Sequence, residues 1–79
     1  MNADDEARLR SVCAEVVGVA VDELTPETDF EDDLNLDRDD LADLFVAVED
    51  AFQISLEDGM RAVHTLGDLE ALVDDLIPA

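Results

Sequence analysis

Few residues in this 79-residue chain could carry nucleophilic or metal chemistry. The sequence contains one cysteine, Cys13, and one histidine, His64, so it cannot form the Cys/His cluster that typically holds zinc. Cys13 falls in an apolar stripe at helical spacing, which predicts a buried thiol. We expect His64 to be a half-exposed structural residue, and no glycine-rich phosphate loop is present. The sequence therefore predicts no catalytic residue and no metal site, which indicates that the protein is not an enzyme.

Carboxylates are the abundant ionisable groups. The chain has 23 acidic residues and four basic residues, all of them arginines, so the formal net charge is -19. Nucleic acids and anionic membranes both require positive charge on a protein that binds them, so neither is an expected partner. Surface carboxylates in water also lack the burial that tunes a pKa for acid–base catalysis.

The acidic residues are densest between positions 27 and 43, which we call the acidic segment. Its nine acids are Glu27, Asp29, Glu31, Asp32, Asp33, Asp37, Asp39, Asp40 and Asp43. Counted from Asp29 as a calcium loop, position six is Leu34 in place of glycine and position twelve is Asp40 in place of glutamate, so no EF-hand is expected. The segment is a solvated face, a docking surface for a basic-surfaced protein, or a region of diffuse divalent-cation binding.

Three apolar stripes with steps of three and four residues predict three amphipathic helices. The stripes are Leu9, Val12, Cys13, Val16 and Val19; then Leu41, Leu44, Phe45, Val48 and Phe52; then Leu66, Leu69, Leu72, Val73, Leu76 and Ile77. Gly18 lies near the end of the first helix, and Asp37, Asp39 and Asp40 supply cap candidates and first-turn acids for the second. Thr65 with Asp68 resembles a capping box at the start of the third. A short helical turn is expected at 57–63. Phe30, Leu34 and Leu36 should anchor the loop 25–36 to the core. The sequence predicts an all-α protein, a small three-to-four-helix bundle.

A chain of 79 residues has room for one small core, so residues 1–79 are predicted to form a single domain. The acidic start lacks the features of a signal peptide, and no run approaches the ~20 apolar residues of a membrane span. We therefore expect a soluble cytoplasmic protein that is a monomer when alone.

The order and spacing of several short motifs extend over nearly the whole chain. They are Gly18-Val19, the apolar loop residues Phe30 and Leu34, the pattern Leu44, Ala47, Glu49 and Phe52, and the helix start Thr65-Leu66 with Asp68. Together they resemble the acyl carrier protein family. The resemblance implies an acyl-carrier-protein-like bundle whose second helix docks partner enzymes.

The resemblance breaks at the residue that carries the family's cofactor. In acyl carrier proteins an Asp-Ser-Leu sequence opens the second helix, and the serine oxygen holds 4'-phosphopantetheine. Here Asp37 is followed by Arg38 and Asp39, and a guanidinium cannot form the phosphodiester. The serines, Ser11 and Ser55, lie in the first helix and after the second. No phosphopantetheine is therefore expected on this chain.

Two functions remain open. The first is a non-enzymatic interaction protein that docks a fatty acid, polyketide or nonribosomal peptide biosynthetic enzyme through its acidic second helix. The alternative is a true acyl carrier whose attachment residue is mutated or replaced. Arg38 either relieves repulsion among its neighbours or contacts the partner. The predicted docking residues are Asp37, Arg38, Asp39, Asp40, Asp43 and Leu44.

Overall fold

The computed structural model describes residues 2–77, without the side chains of residues 57 and 58. Its helices are α1 (Ala3–Val17), α2 (Arg38–Phe52) and α3 (Leu66–Leu76), with two 3-10 helices at Val21–Glu23 and Glu57–Ala62. Within the described residues the extended pairing is limited to one antiparallel bridge, between Asp29 and Thr65. The predicted all-α bundle is confirmed, including the short helical turn before the last helix. The 3-10 helix after α1 was not predicted.

Local side-chain chemistry explains where the helices begin and end. Asp37 caps α2: its side chain accepts a hydrogen bond from the backbone N–H of Asp40, and the Asp40 side chain accepts one from the backbone N–H of Asp37. Thr65 and Asp68 form the same reciprocal box at the start of α3. Gly18 ends α1 with φ +83°, a left-handed conformation that glycine adopts without strain. Each of these three boundaries therefore matches its sequence prediction.

The helices close on a continuous aliphatic core. Side chains from all three helices are completely shielded from solvent: Leu9 and Cys13 from α1, Leu44 and Val48 from α2, and Leu66, Leu69 and Val73 from α3. Two predicted stripe residues behave differently, because Val16 in α1 and Leu76 at the end of α3 keep 40% and 38% of their surface exposed.

The loop between α1 and α2 is held against the start of α3 by backbone hydrogen bonds. Phe30 N donates to His64 O at 2.9 Å, and Gly67 N donates to Pro26 O at 2.8 Å. A Cβ atom at position 67 would lie 2.8 Å from that same oxygen, so the close approach requires glycine. Phe30 is buried, and Leu34 and Leu36 pack partly against the core. The predicted anchoring of the loop is confirmed, and it fixes the chain that leads into α2.

One ion pair joins α1 to α3. Arg10 lies 3.6 Å from Glu70, measured from Nε to Oε1, and also pairs with Glu6 on its own helix. The two atoms of the interhelical contact are buried and have no hydrogen-bond partner among the described residues. Because desolvation offsets much of the attraction at such a site, the pair adds little to the stability of the fold.

Candidate functional site

The start of α2 places a cation between acidic side chains at the protein surface. Asp37 is the N-cap and Arg38 is the first helical residue. Asp39 and Asp40 follow in the first turn, and all four side chains are exposed. Acidic residues are favourable at this end of a helix and a cation is not, because the helix dipole is positive there. The helix dipole therefore does not favour the cation at position 38.

Arg38 makes no direct ion pair with a carboxylate of the described residues. No described carboxylate lies within 4.0 Å of its guanidinium, although Asp37 and Asp39 are its chain neighbours. Relief of local repulsion can act only through longer-range attraction, which water and salt weaken. The Arg38 side chain is exposed, so solvent reaches it at the start of α2.

Leu44 does not belong to the predicted docking surface. Its side chain is 0% exposed and lies in the centre of the core, so it cannot contact a partner in the folded protein. The prediction was wrong because Leu44 shares the inward stripe of α2 with Phe45 and Val48.

Val46 is the residue that the sequence reasoning missed. It is 63% exposed, the most exposed of the large hydrophobic side chains in the described residues. Positions 39, 43, 46 and 50 follow steps of four, three and four, so they share one face of α2. Asp39, Asp43 and Asp50 are exposed on this face as well. The helical spacing of these residues was a signal in the sequence that could have identified Val46.

Part of the acidic segment has a structural role in the loop. Asp29 Oδ1 accepts hydrogen bonds from the backbone N–H groups of Glu31 and Asp32, at 2.9 and 2.8 Å. The backbone N–H of Asp29 donates in turn to Asp33 Oδ2 at 2.8 Å. These carboxylates shape the turn before α2, while Glu31 and Asp32 leave their own side chains exposed.

A groove lies between the first half of α2 and the second 3-10 helix. It has a volume of about 700 Å³ and is lined by Arg38, Leu41, Ala42, Phe45, Met60 and Arg61. The apolar side chains form its floor, and the two arginines supply positive charge. The sequence analysis did not anticipate this groove, because residues 20 positions apart in the chain build it.

The other titratable residues singled out from the sequence do not form a reaction centre. Burial raises the pKa of the Cys13 thiol to about 12, with the nearby Glu70 carboxylate adding to the effect. Cys13 is therefore the buried thiol that was predicted, while His64 is exposed and not half-exposed. Among the described residues no group of three or more His, Cys, Asp or Glu side chains could hold a metal ion.

No helix among the described residues has the length and apolar character needed to cross a membrane.

Asp68 is the carboxylate whose environment changes its titration. The backbone N–H groups of His64 and Thr65 donate to Asp68 Oδ2 at 3.0 and 3.2 Å. These bonds favour the ionised form and hold the pKa of Asp68 below its ordinary value of 3.8. The group caps α3 and takes no part in the groove or the α2 surface.

None of the hydroxyl-bearing side chains of the described residues belongs to the start of α2. Ser11 is in α1 and Ser55 follows α2, whereas Thr65 is occupied as the N-cap of α3. Thr25 and Thr28 share a hydrogen bond with an oxygen–oxygen distance of 3.2 Å in the loop. Phosphodiester formation needs a hydroxyl oxygen, which the guanidinium of Arg38 does not have.

Comparison with known families decides the class of the protein. Residues 7–73 match the family described as phosphopantetheine attachment site. This match contradicts our expectation about the cofactor, because the family points to a 4'-phosphopantetheine prosthetic group. Its domains are generally non-catalytic carriers that interact with biosynthetic enzymes. The residue at position 38 does not itself fit covalent attachment, since it lacks a hydroxyl. The match spans α2, the loop that leads into it and most of α1 and α3, and the chain belongs to the phosphopantetheine attachment site family of acyl carrier domains.

Proposed function

We propose that this carrier domain docks a basic-surfaced biosynthetic enzyme through the outward face of α2, acting as an interaction protein and not as a catalyst. We define the α2 surface as the exposed residues Asp37, Arg38, Asp39, Asp40, Asp43 and Val46. The observation that carries the proposal is an exposed apolar side chain, Val46, on a face of α2 that it shares with the exposed acids Asp39, Asp43 and Asp50.

In an interface of this composition, charged and apolar residues can contribute to different steps of binding. The carboxylates of Asp39 and Asp43 attract a positive partner surface and speed the encounter, and the net charge of -19 adds to the steering. Val46 supplies the apolar contact that loses water when the surfaces meet, and such contacts near the centre of an interface carry much of the binding energy. We therefore expect the acids to act mainly on the association rate and Val46 on the dissociation rate.

The docking proposal can be tested by binding kinetics with a purified carrier-dependent enzyme. A broad-specificity phosphopantetheinyl transferase is a suitable probe, because it must approach the start of the second helix of any carrier domain. We expect Asp39→Asn/Asp43→Asn to slow association and to flatten its dependence on salt. We expect Val46→Gln to weaken the complex about tenfold, chiefly through faster dissociation.

A matched control keeps the charge change and moves its position. Asp4→Asn/Glu15→Gln removes two exposed carboxylates from α1, so it reduces the magnitude of the negative net charge by the same amount as Asp39→Asn/Asp43→Asn does. If the control slows association as much as Asp39→Asn/Asp43→Asn does, attraction is a property of the whole protein and the α2 surface is not the docking site. Unchanged affinity of Val46→Gln would also contradict the proposal.

The family match favours a second function, that of a carrier which bears phosphopantetheine itself. Intact mass after incubation with the transferase and coenzyme A measures this directly, and peptide mapping identifies the modified residue. As a reference, Arg38→Ser restores a hydroxyl at the predicted position, and Arg38→Ser/Asp39→Leu also restores the adjacent leucine of the family pattern. We expect the double variant to be modified far more efficiently than the single one. Equal labelling would show that Asp39 does not hinder the transferase.

A further inference from the structure

Arg38 is the single cation among the residues of the α2 surface. Its side chain is exposed at the first position of α2, and no described carboxylate lies within 4.0 Å of its guanidinium. Two of the flanking carboxylates accept backbone hydrogen bonds: Asp40 N donates to Asp37 Oδ1 at 2.9 Å, and Asp37 N donates to Asp40 Oδ2 at 3.5 Å. A protein that docks on α2 therefore meets an arginine charge that no ion pair with the described residues neutralises.

The charge of the whole protein and the charge of Arg38 act at different distances. At -19 the protein attracts a basic surface during the approach, and the reach of this attraction is about 10 Å at 0.1 M salt. Once two surfaces touch, the lower effective dielectric constant strengthens the interaction between close charges about fourfold relative to bulk water. The final contact is therefore sensitive to the charge that lies opposite Arg38, although the carboxylates govern the approach.

A partner that covers the acids of the α2 surface also covers Arg38. Arg38 opens the helix and is the chain neighbour of Asp39, so one partner surface reaches both side chains. Like charges brought together at an interface weaken a complex strongly. A carboxylate opposite an arginine has the reverse effect, because the planar fork of the guanidinium pairs with its two oxygens through charge-assisted hydrogen bonds. Position 38 therefore discriminates between basic partners that differ in one charge.

We infer that Arg38 is a specificity-determining residue of the α2 surface. It favours an enzyme that places a carboxylate opposite position 38 within an otherwise basic surface, and it disfavours an enzyme with Lys or Arg at that point. The inference rests on the proposed docking function and adds to it the charge pattern of the partner. Discrimination between partners of this kind combines an attractive contact with a repulsive one.

A different role for Arg38 leads to a different expectation. If its guanidinium only relieves repulsion among the neighbouring acids, its effect on a partner comes from the net charge of the domain. Replacing any exposed arginine would then change the affinity for a basic partner by the same factor. A contact between Arg38 and the partner instead makes the effect depend on one position in each protein, and this dependence is what the experiment measures.

The test is equilibrium binding of the full chain to the phosphopantetheinyl transferase, without coenzyme A and at about 0.1 M NaCl, where long-range attraction is screened. Each exposed residue of the carrier-binding surface of the transferase is replaced in turn by Glu and by Lys. We expect one position at which the parent domain binds the Glu variant about fivefold more tightly than the Lys variant. Arg38→Asp should reverse that preference, and Arg38→Gln should abolish it.

Arg8→Asp is the matched control, because it makes the same change in net charge at an exposed arginine of α1. Arg8 lies over the Phe52 ring and does not belong to the α2 surface. We expect Arg8→Asp to keep the preference of the parent for the Glu variant of the transferase. Arg38→Asp should retain the fold, since an acid is favoured at the start of a helix, and far-ultraviolet circular dichroism of each variant verifies this.

Three results would overturn the inference. They are the absence of any transferase position with a reversed preference, an Arg38→Gln variant that keeps the preference, and an Arg8→Asp variant that reverses it as Arg38→Asp does. If Asp39→Asn/Asp43→Asn still slows association in the same preparation, the docking function stands and only the role of Arg38 is refuted. If the transferase binds neither the parent nor any variant, the docking function and this inference are refuted together.

Discussion

Asp37 has two opposite effects on stability at the start of α2: it caps the helix, and it adds to the repulsion among negative charges. Substitutions at this position can separate the two. The carboxylate caps the helix, since its Oδ1 accepts a hydrogen bond from Asp40 N at 2.9 Å. It also adds a negative charge to a protein that already carries -19. Asp37→Ala removes the cap and the charge together, whereas Asp37→Asn removes the charge and keeps an oxygen in the capping position.

The magnitudes predict which effect dominates. Loss of an N-cap side chain costs about 1 kcal/mol, while Asn and Asp cap almost equally well. Removing one exposed charge changes stability by no more than about 0.5 kcal/mol. The second hydrogen bond of the capping box, from Asp37 N to Asp40 Oδ2, is 3.5 Å long and adds little to stability. We therefore expect Asp37→Ala to destabilise the domain by about 1 kcal/mol and Asp37→Asn to stay within about 0.5 kcal/mol of the parent.

Urea unfolding followed by far-ultraviolet circular dichroism measures the difference. For a domain of this size, 1 kcal/mol corresponds to a shift in melting temperature of roughly 4–8 °C, so thermal unfolding gives a second measurement. Asp39→Asn is the control, because it removes an exposed first-turn charge without touching the hydrogen bonds of the cap. If Asp37→Ala and Asp37→Asn unfold at the same urea concentration, or if both are stabilised, repulsion and not capping determines the stability of this helix start.

Three further predictions concern charge and titration. The melting temperature should rise between 0.01 and 0.1 M NaCl, because the screening length falls from ~30 to ~10 Å and self-repulsion weakens; a flat series would show that local pairing already offsets it. Cys13, with a pKa of about 12, should resist a thiol reagent at neutral pH until denaturant is added, and rapid labelling of the native protein would contradict its burial. The backbone N–H groups of His64 and Thr65 lower the pKa of Asp68 from its ordinary value of 3.8. The contribution of Asp68 to the free energy of unfolding is therefore complete above pH 3.8, and it is lost as the pH falls through the pKa of the folded state. The difference in unfolding free energy between the parent and Asp68→Asn should therefore shrink only in strong acid, and a difference independent of pH would refute this origin.

The order of the helices and their boundaries were readable from the sequence because they depend on neighbouring residues. Asp37, Gly18 and the pair Thr65 and Asp68 act over a few positions of the chain, through capping bonds and a left-handed turn. The spacing of apolar residues marked the inward face of each helix for the same reason. The net charge and the arginine at position 38 were likewise properties of the sequence alone.

The composition of the functional surface depended on tertiary packing. Leu44 and Val46 are both apolar residues of α2, yet one is fully buried and the other is largely exposed. Which of them contacts a partner is decided by the side of α2 that the other helices cover. The groove is a similar case, because residues of α2 and of the second 3-10 helix, which are distant in the sequence, line it together. Local sequence specifies the elements and their charges, whereas the relative placement of the elements determines which side chains can reach a ligand.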